Sequence, residues 1–259
     1  DDYRVPIFKM LAEGKNELYL RWHRNLQEQR GFTDEASPQN RFLGDPNRLY
    51  VRYKHAYENR LQYGITMEKD AGEPLFTSVN RDEGFDFYSA HIFLKNYNIN
   101  FRAVALGDYA ISLGQGLIIH SGFGYGKSNL VMDIKKTGAT LRPYSSVSEA
   151  GFMRGGGVTL NFGDNIETTA FASYRGVDGN LLEADTIDGL ADEVIGFTSL
   201  LINGLHRNLN EISKQNTIQQ TTFGGSIKYK NRNFHVALNG IYDQFNRPLS
   251  PTPQPYNLY

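Results

Sequence analysis

Residues 48–69 read RLYVRYKHAYENRLQYGITMEK, and the period of their side chains decides the fold. From Arg48 to Tyr57, Leu49, Val51 and Tyr53 alternate with Arg48, Arg52 and Lys54. From Arg60 to Lys69, Leu61, Tyr63, Ile65 and Met67 alternate with Arg60, Gln62, Thr66 and Glu68. Successive Cβ atoms of a strand point to opposite sides of the pleat, so side chains that switch character at every residue mark a β-strand with one apolar face. Two such runs parted by Glu58-Asn59 predict a hairpin with a tight turn.

The same period recurs on both sides of this hairpin. Glu17 to Leu26 sets Leu18, Leu20 and Trp22 against Tyr19, Arg21 and His23. Thr221 to Lys230 sets Phe223, Ile227 and Tyr229 against Thr222, Ser226 and Lys228, and Asn233 to Asp243 sets Phe234, Val236, Leu238 and Tyr242 against His235 and Asn239. Phe85 to Lys95 carries apolar side chains on both faces. Ile99 to about His120 is a long, glycine-interrupted run that reads as one bent strand, and Gly151–Phe162 and Ile166–Tyr174 complete a set of nine. All nine prolines fall outside these runs, as they should, since proline cannot donate to a ladder. Helical periodicity is weak; short helices are expected only at Pro6–Glu13 or within 186–214.

Composition agrees and excludes several classes. The chain has 259 residues, of which 40% are hydrophobic, 21% charged and 13% aromatic, with 26 glycines. No apolar run approaches the roughly 20 residues of a membrane helix. Lys and Arg number 27 against 28 Asp and Glu, without the basic excess of a nucleic-acid binder. Cysteine is absent, which removes disulfides, thiolate metal sites and a cysteine nucleophile. The chain opens Asp1-Asp2-Tyr3 with no leader pattern, so either a leader has been removed or the numbering begins inside a longer protein.

The connections name the architecture. The intervals 27–47, 70–84, 121–150 and 175–220 are long, whereas 58–59, 96–98, 163–165 and 231–232 are tight, and the two kinds alternate without exception. All tight turns therefore lie at one end of the sheet and all long loops at the other. An outer-membrane barrel has this asymmetry, and its strands are about 9–11 residues long, as most of these are. The predicted fold is all-β, an antiparallel up-and-down transmembrane β-barrel of outer-membrane type. Residues 1–16 form a periplasmic lead-in, 17–247 the barrel strands, and 248–259 a proline-rich exit on the extracellular side. Nine strands end on the side opposite to where they start, so the barrel is expected to be an incomplete segment. Further strands would follow Tyr259, or another chain would close the sheet.

A resemblance covers nearly the whole chain. It is carried by GDYAISLGQGLIIHSGFGYGKS (107–128), EKDAGEP (68–74), GFDFYSAHIFLKN (84–96), RPYSSVSEAGFMRG (142–155), GLHRN (204–208) and PQPYNLY (253–259). These segments resemble the barrel region of the Bacteroidota outer-membrane proteins described as helix-hairpin-helix domain-containing. The resemblance implies an outer-membrane location, with helical repeats before this region and further strands after it. The family's name refers to those repeats, so no DNA-binding residues pass to this segment and no nucleic acid is expected to bind it.

Sites were sought against plainer explanations. GFGYGKS (122–128) falls one residue short of a phosphate loop and no helix obviously follows it, so a glycine-rich loop is expected. His23, His55, His91, His120, His206 and His235 lie far apart, without ligand spacing on any strand face, and no metal or cofactor is expected. Loop 175–220 gathers Asp178, Glu183, Asp185, Asp188, Asp192 and Glu193, which invites calcium, but the spacing is not that of an EF-hand and a solvated charge run is the plainer reading. Its Leu200, Leu201, Ile202 and Leu205 suggest that it plugs the lumen or meets a partner. Ser112, Ser121 and Ser128 have only His120 near them in sequence, so no hydrolase is assigned.

The strand charges Arg21, Arg52, Lys54, Arg60, Glu68, Arg102, Glu167 and Lys228 are expected to face the lumen, because charge facing lipid near the midplane costs about 2–4 kcal/mol. Their mixed signs fit a filled interior better than an anion pore. The expected role is non-enzymatic: an accessory or scaffold subunit of a larger outer-membrane assembly for protein insertion or secretion, touching lipid and other outer-membrane proteins. The rival is a channel or uptake pore.

Overall fold

The computed structural model describes residues 5–75, 84–121, 139–183 and 194–251. The strands in chain order are β1 (Lys15–Arg24), β2 (Asn47–Tyr57), β3 (Leu61–Lys69), β4 (Phe87–Lys95), β5 (Phe101–Leu113), β6 (Ile119–His120), β7 (Leu141–Pro143), β8 (Met153–Phe162), β9 (Ile166–Glu183), β10 (Val194–Leu201), β11 (Ile218–Lys230) and β12 (His235–Phe245). All twelve join one antiparallel sheet. Two short helices, α1 (Ile7–Ala12) and α2 (Leu209–Ile212), lie outside it. No described helix is long and apolar enough to cross a membrane.

Nine strands follow one another in the path β1-β2-β3-β4-β5-β8-β9-β11-β12. They are the nine alternating runs read from the sequence, with ends shifted by a few residues; the exceptions are the bent β5 run, whose last part is β6, and β9, which continues nine residues further. The sheet is open among the described residues, with β1 and β12 as its edges. The tight connections 58–60, 96–100, 163–165 and 231–234 all sit at one end. Their turn chemistry is local: Glu58 and Asn96 take positive φ (46° and 50°), and Asn98 Oδ1 accepts the backbone N–H groups of Asn100 and Phe101. At this end α1 lays Met10 against Leu61, and the ring of His55 reaches the Met10 carbonyl at 3.0 Å.

Directly paired residues share a face, so the registers sort every side chain. Leu18, Leu20 and Trp22 of β1 pair with Tyr53, Val51 and Leu49 of β2, and these with Ile65, Met67 and Lys69 of β3. The row continues through Tyr88, Ala90 and Ile92 of β4 to Leu106 of β5. On the far side Val158, Leu160 and Phe162 of β8 lead through β9 to Phe223, Ile227 and Tyr229 of β11 and to Tyr242, Leu238 and Val236 of β12. This bare face is apolar across all nine strands, and much of it is solvent-exposed. Only at its turn end does α1 pack on it, over Leu61, Tyr63 and Leu94, with His55 of the same row buried beneath. Charge enters only at its loop-end margin, at Arg24 and at Lys69, whose ammonium is turned onto the Asn47 carbonyl at 2.7 Å.

The opposite face is covered. The β4–β5 ladder ends at Gly107, where φ is +83° and an added Cβ would lie 2.3 Å from the Ala90 carbonyl oxygen. Beyond Gly107 β5 keeps β8 as a partner through Tyr109 and pairs with β7 and β6. Tyr109, Ile111 and Leu113 are buried with Leu141 against Phe93, Ala105 and Phe171. Residues 109–121 and 140–143 thus lie across the polar side of the sheet. The sequence reading gave loop 175–220 as the candidate plug. That loop, expected to plug the lumen or meet a partner, has 184–193 outside the described residues. Its described part prolongs β9 to Glu183, returns as β10 at the loop end, where Phe197 bonds with Pro248 and Ser250, and carries α2.

Gly107 is the hinge of this arrangement, because a side chain there meets both a left-handed φ and the Ala90 carbonyl. Gly107→Ala should lower stability by about 1–3 kcal/mol from backbone strain alone, whereas Gly240→Ala, with no atom within 4 Å of the new Cβ, should be tolerated. Urea unfolding of the two variants side by side checks this.

Candidate functional site

The eight charges singled out in the sequence fall into two groups on the covered face, with Arg60 in a turn. Arg21, Arg52, Lys54 and Glu68 pair across β1–β3 on the covered face, and Glu68 accepts Arg48 at 2.7 Å, with Arg21 at 4.0 Å. Arg102 reaches the same face through a slip in register between Phe101 and Ala103, which brings it 3.0 Å from Glu167. Lys228 also lies 3.0 Å from Glu167 and hydrogen-bonds Thr140 of the covering segment. Arg60 stands in the β2–β3 turn, beside the cavity that Arg102, Glu167 and Lys228 line. The structure brings Arg102, Glu167 and Lys228 into one ion-pair group and keeps Arg21, Arg52 and Lys54 on the β1–β2 side.

A second cluster, at the loop end, has no signature in the sequence. His206 is almost fully buried and spends both ring nitrogens on carboxylates: Nδ1 on Asp86 at 2.6 Å and Nε2 on Asp178 at 2.8 Å. Its backbone N–H donates to Glu73, which also accepts the Asp70 N–H. Gln215 donates to Asp86, and the Asn216 N–H to Asp178. Asn208 caps α2 by accepting the Glu211 N–H at 3.0 Å, and Glu211 in turn holds Arg207. Five separated segments are tied together this way.

Burial sets the protonation of this knot. It pushes Glu73 up to about 8 and Glu149 up to about 9, and the nearby Asp86 charge acts in the same direction on both. Burial alone would lower His206, but its hydrogen bonds to Asp178 and Asp86 outweigh that and raise it to about 11. An imidazolium between two carboxylates, with two neutral glutamic acids beside it, is a self-consistent buried arrangement. Two triads, Glu73–Asp86–His206 and Glu149–Asp178–His206, place their ligand atoms within 4.8 Å of one another and are the groups that could hold a metal ion. Asp178 is the one acid of the suspected calcium cluster with a described role. The side chain of Glu183, and Asp185, Asp188, Asp192 and Glu193, lie outside the described residues, as does GFGYGKS (122–128).

Chemistry elsewhere is sparse. Ser112 Oγ and His120 Nδ1 are 3.4 Å apart across the β5–β6 pair, but no described carboxylate bonds His120. Ser128 lies outside the described residues. His55 and His91 bond Asn16 and Gln62, respectively.

Comparison with protein-family models, with curated proteins and with solved structures finds no match. The reading of function therefore rests on the chain's own geometry.

The knot makes two outcomes expected. His206→Ala would leave Asp86 and Asp178 buried without their cation, a loss of about 3–5 kcal/mol for a broken buried pair, seen as faster amide exchange in 70–75 and 204–216. The pH dependence has one sign. Glu73 and Glu149 bind protons more tightly folded than unfolded, so their contribution falls as pH rises from the ordinary carboxylate range through about 8 and 9. The His206 contribution is complete below its unfolded value and is lost towards about 11. Exchange at the loop end should quicken, beyond its intrinsic rise, between mildly acidic and alkaline pH, and Glu149→Gln should flatten that change.

Proposed function

We propose that this chain forms part of the wall of an outer-membrane β-barrel, with its bare face against lipid, and that it acts as a non-enzymatic scaffold or accessory subunit of a larger outer-membrane assembly. The observation that carries the reading is the bare face. Soluble monomers rarely expose apolar patches beyond a few hundred Å², whereas here the apolar row crosses nine strands without an acidic or basic side chain between its margins. On β11 it runs from Phe223 to Tyr229, roughly 20 Å at about 3.4 Å per residue, close to the height of the apolar band of such barrels. Aromatic rings stand at both ends of the row: Trp22, Tyr88, Phe223 and Tyr242 towards the loops, Phe162, Tyr229 and Phe234 towards the turns.

Two further features favour scaffold over conduit. Residues 109–121 and 140–143 occupy the covered face where a pore would run. The outer edges of β1 and β12 have no ladder partner among the described residues, and unpaired backbone in hydrocarbon costs several kcal/mol per group. Strands of the same polypeptide or of a partner would fill those edges. Because β1 and β12 run in the same direction, an odd number of added strands would keep every pairing antiparallel. The family resemblance points to the same location.

The single tryptophan offers a direct test. Trp22 is 66% exposed on the bare face, so its fluorescence should be quenched strongly by brominated phospholipid in reconstituted vesicles and weakly by aqueous iodide. The reverse pattern would exclude lipid contact and with it the barrel reading. Steady conductance from the reconstituted protein would leave the barrel in place and replace scaffold by channel.

A further inference from the structure

A cavity of about 520 Å³ opens at the turn end of the covered face. Its wall combines parts distant in sequence: the β2–β3 turn, the ends of β4 and β5, the covering residues 139–143, and the facing positions of β8, β9 and β11. Five cations line it, Arg60, Lys95, Arg102, Arg142 and Lys228, against two carboxylates, Glu58 and Glu167. The difference is +3, in a chain whose formal net charge is -1. Glu167 is shared by Arg102 and Lys228, each at 3.0 Å, so one acid answers two bases. Among the described residues the Lys95 ammonium has no acidic partner. Arg142 donates from Nη2 to the Ser121 carbonyl at 2.8 Å, yet its Nε is buried without any hydrogen-bond partner.

Elsewhere on the covered face several bases meet acids, Arg48 with Glu68 and Asp70 and Arg154 with Asp108. Arg52 and Lys54 form no ion pair among the described residues but stand apart on the β1–β2 side, whereas here five bases share one recess with two acids. A concentrated positive excess in a recess is unfavourable unless something negative joins it, and a buried guanidinium N–H left unmatched loses its hydration without recompense. The remaining wall is mixed: Phe93, Leu141 and Pro143 give it an apolar part beside the bases, and Gln62, Thr140 and Thr159 a polar one. Three guanidiniums favour an oxyanion that can take paired N–H donors, and a tetrahedral dianion suits them better than a single carboxylate.

We infer that this cavity is a binding site for a small phosphate monoester, with its phosphate among Arg102, Arg142, Lys95 and Lys228 and its organic body against Phe93, Leu141 and Pro143. The site depends on the covering segment and not on the lipid contact of the bare face. Its failure is therefore separate from failure of the barrel reading.

Phenyl phosphate is a suitable probe for the full chain in detergent, followed by ³¹P line broadening and by calorimetry. Saturable one-to-one binding is expected, with phenol alone giving no saturable heat. Lys95→Gln and Lys95→Glu should each weaken binding by roughly tenfold or more, the loss of one charge-assisted contact. Lys95 bonds no other described side chain, so these variants should fold, and far-UV dichroism checks that they do. Arg232→Glu, which alters an exposed base in the β11–β12 turn outside the cavity, should bind as the parent does. No saturable broadening at millimolar probe would overturn the proposal. So would binding that survives Lys95→Glu, or that weakens equally in Arg232→Glu, since either marks diffuse attraction in place of a site.

Discussion

Every strand of the path must find backbone partners on both sides, and the rest of the structure follows from how the chain meets that demand. Nine strands in sequence order pair with their neighbours through tight turns, so the interior ladders close locally and at low entropic cost. Only β1 and β12 keep an unpaired side among the described residues. The same ladders fix the faces, because a slip by one residue would exchange the bare and covered rows along a whole strand. The one slip that does occur, between Phe101 and Ala103, is local and has a use: it turns Arg102 towards Glu167 while leaving Phe101 on the bare side.

The covered face meets a different demand. Its centre carries Phe93, Ala105 and Phe171 as well as charged side chains, and those rings need apolar company. The second half of β5 supplies it by parting from β4 at Gly107 and from β8 after Tyr109, bringing Tyr109, Ile111 and Leu113 across the face. Tyr109 has its hydroxyl on the Gly156 and Ala172 carbonyls, so even the polar tip of the most buried ring is satisfied. The inward segment and the excess of bases at the turn end belong together, since Thr140 and Arg142 form one wall of the cavity.

At the other end the long connections are held by the His206 knot beside a small aromatic cluster of Phe87, Tyr144 and Phe152. Ion pairs of this depth gain little over an apolar core of the same volume, but they are specific: removing one partner leaves a buried charge. Segments separated by as many as 133 residues meet there. The hairpin of β9 and β10 stands beside it, and the chain after β12 closes onto β10 through Phe197.

The sequence by itself determined what depends on near neighbours: which residues form strands, where the tight turns fall, and which side chains share a face, since a period of two is written in consecutive residues. It placed Leu18, Ile65, Ile227 and Leu238 on one face and Arg52, Glu68 and Lys228 on the other, and it marked 99–120 as bent. Tertiary structure alone decided the rest. No local pattern says that β5 turns off at Gly107 onto Phe93 and Phe171, because one glycine among 26 looks like any other until the Ala90 carbonyl is beside it. No spacing announces the His206 knot, because Glu73, Asp86, Glu149 and Asp178 come to it from separate parts of the chain, Asp178 from β9 and the others from connections. Loop 175–220 read as an acidic run, yet its first residues continue β9, as their pairing with β10 and β11 shows. Alternation is a property of the chain, whereas a site is a property of the contacts between distant parts of it.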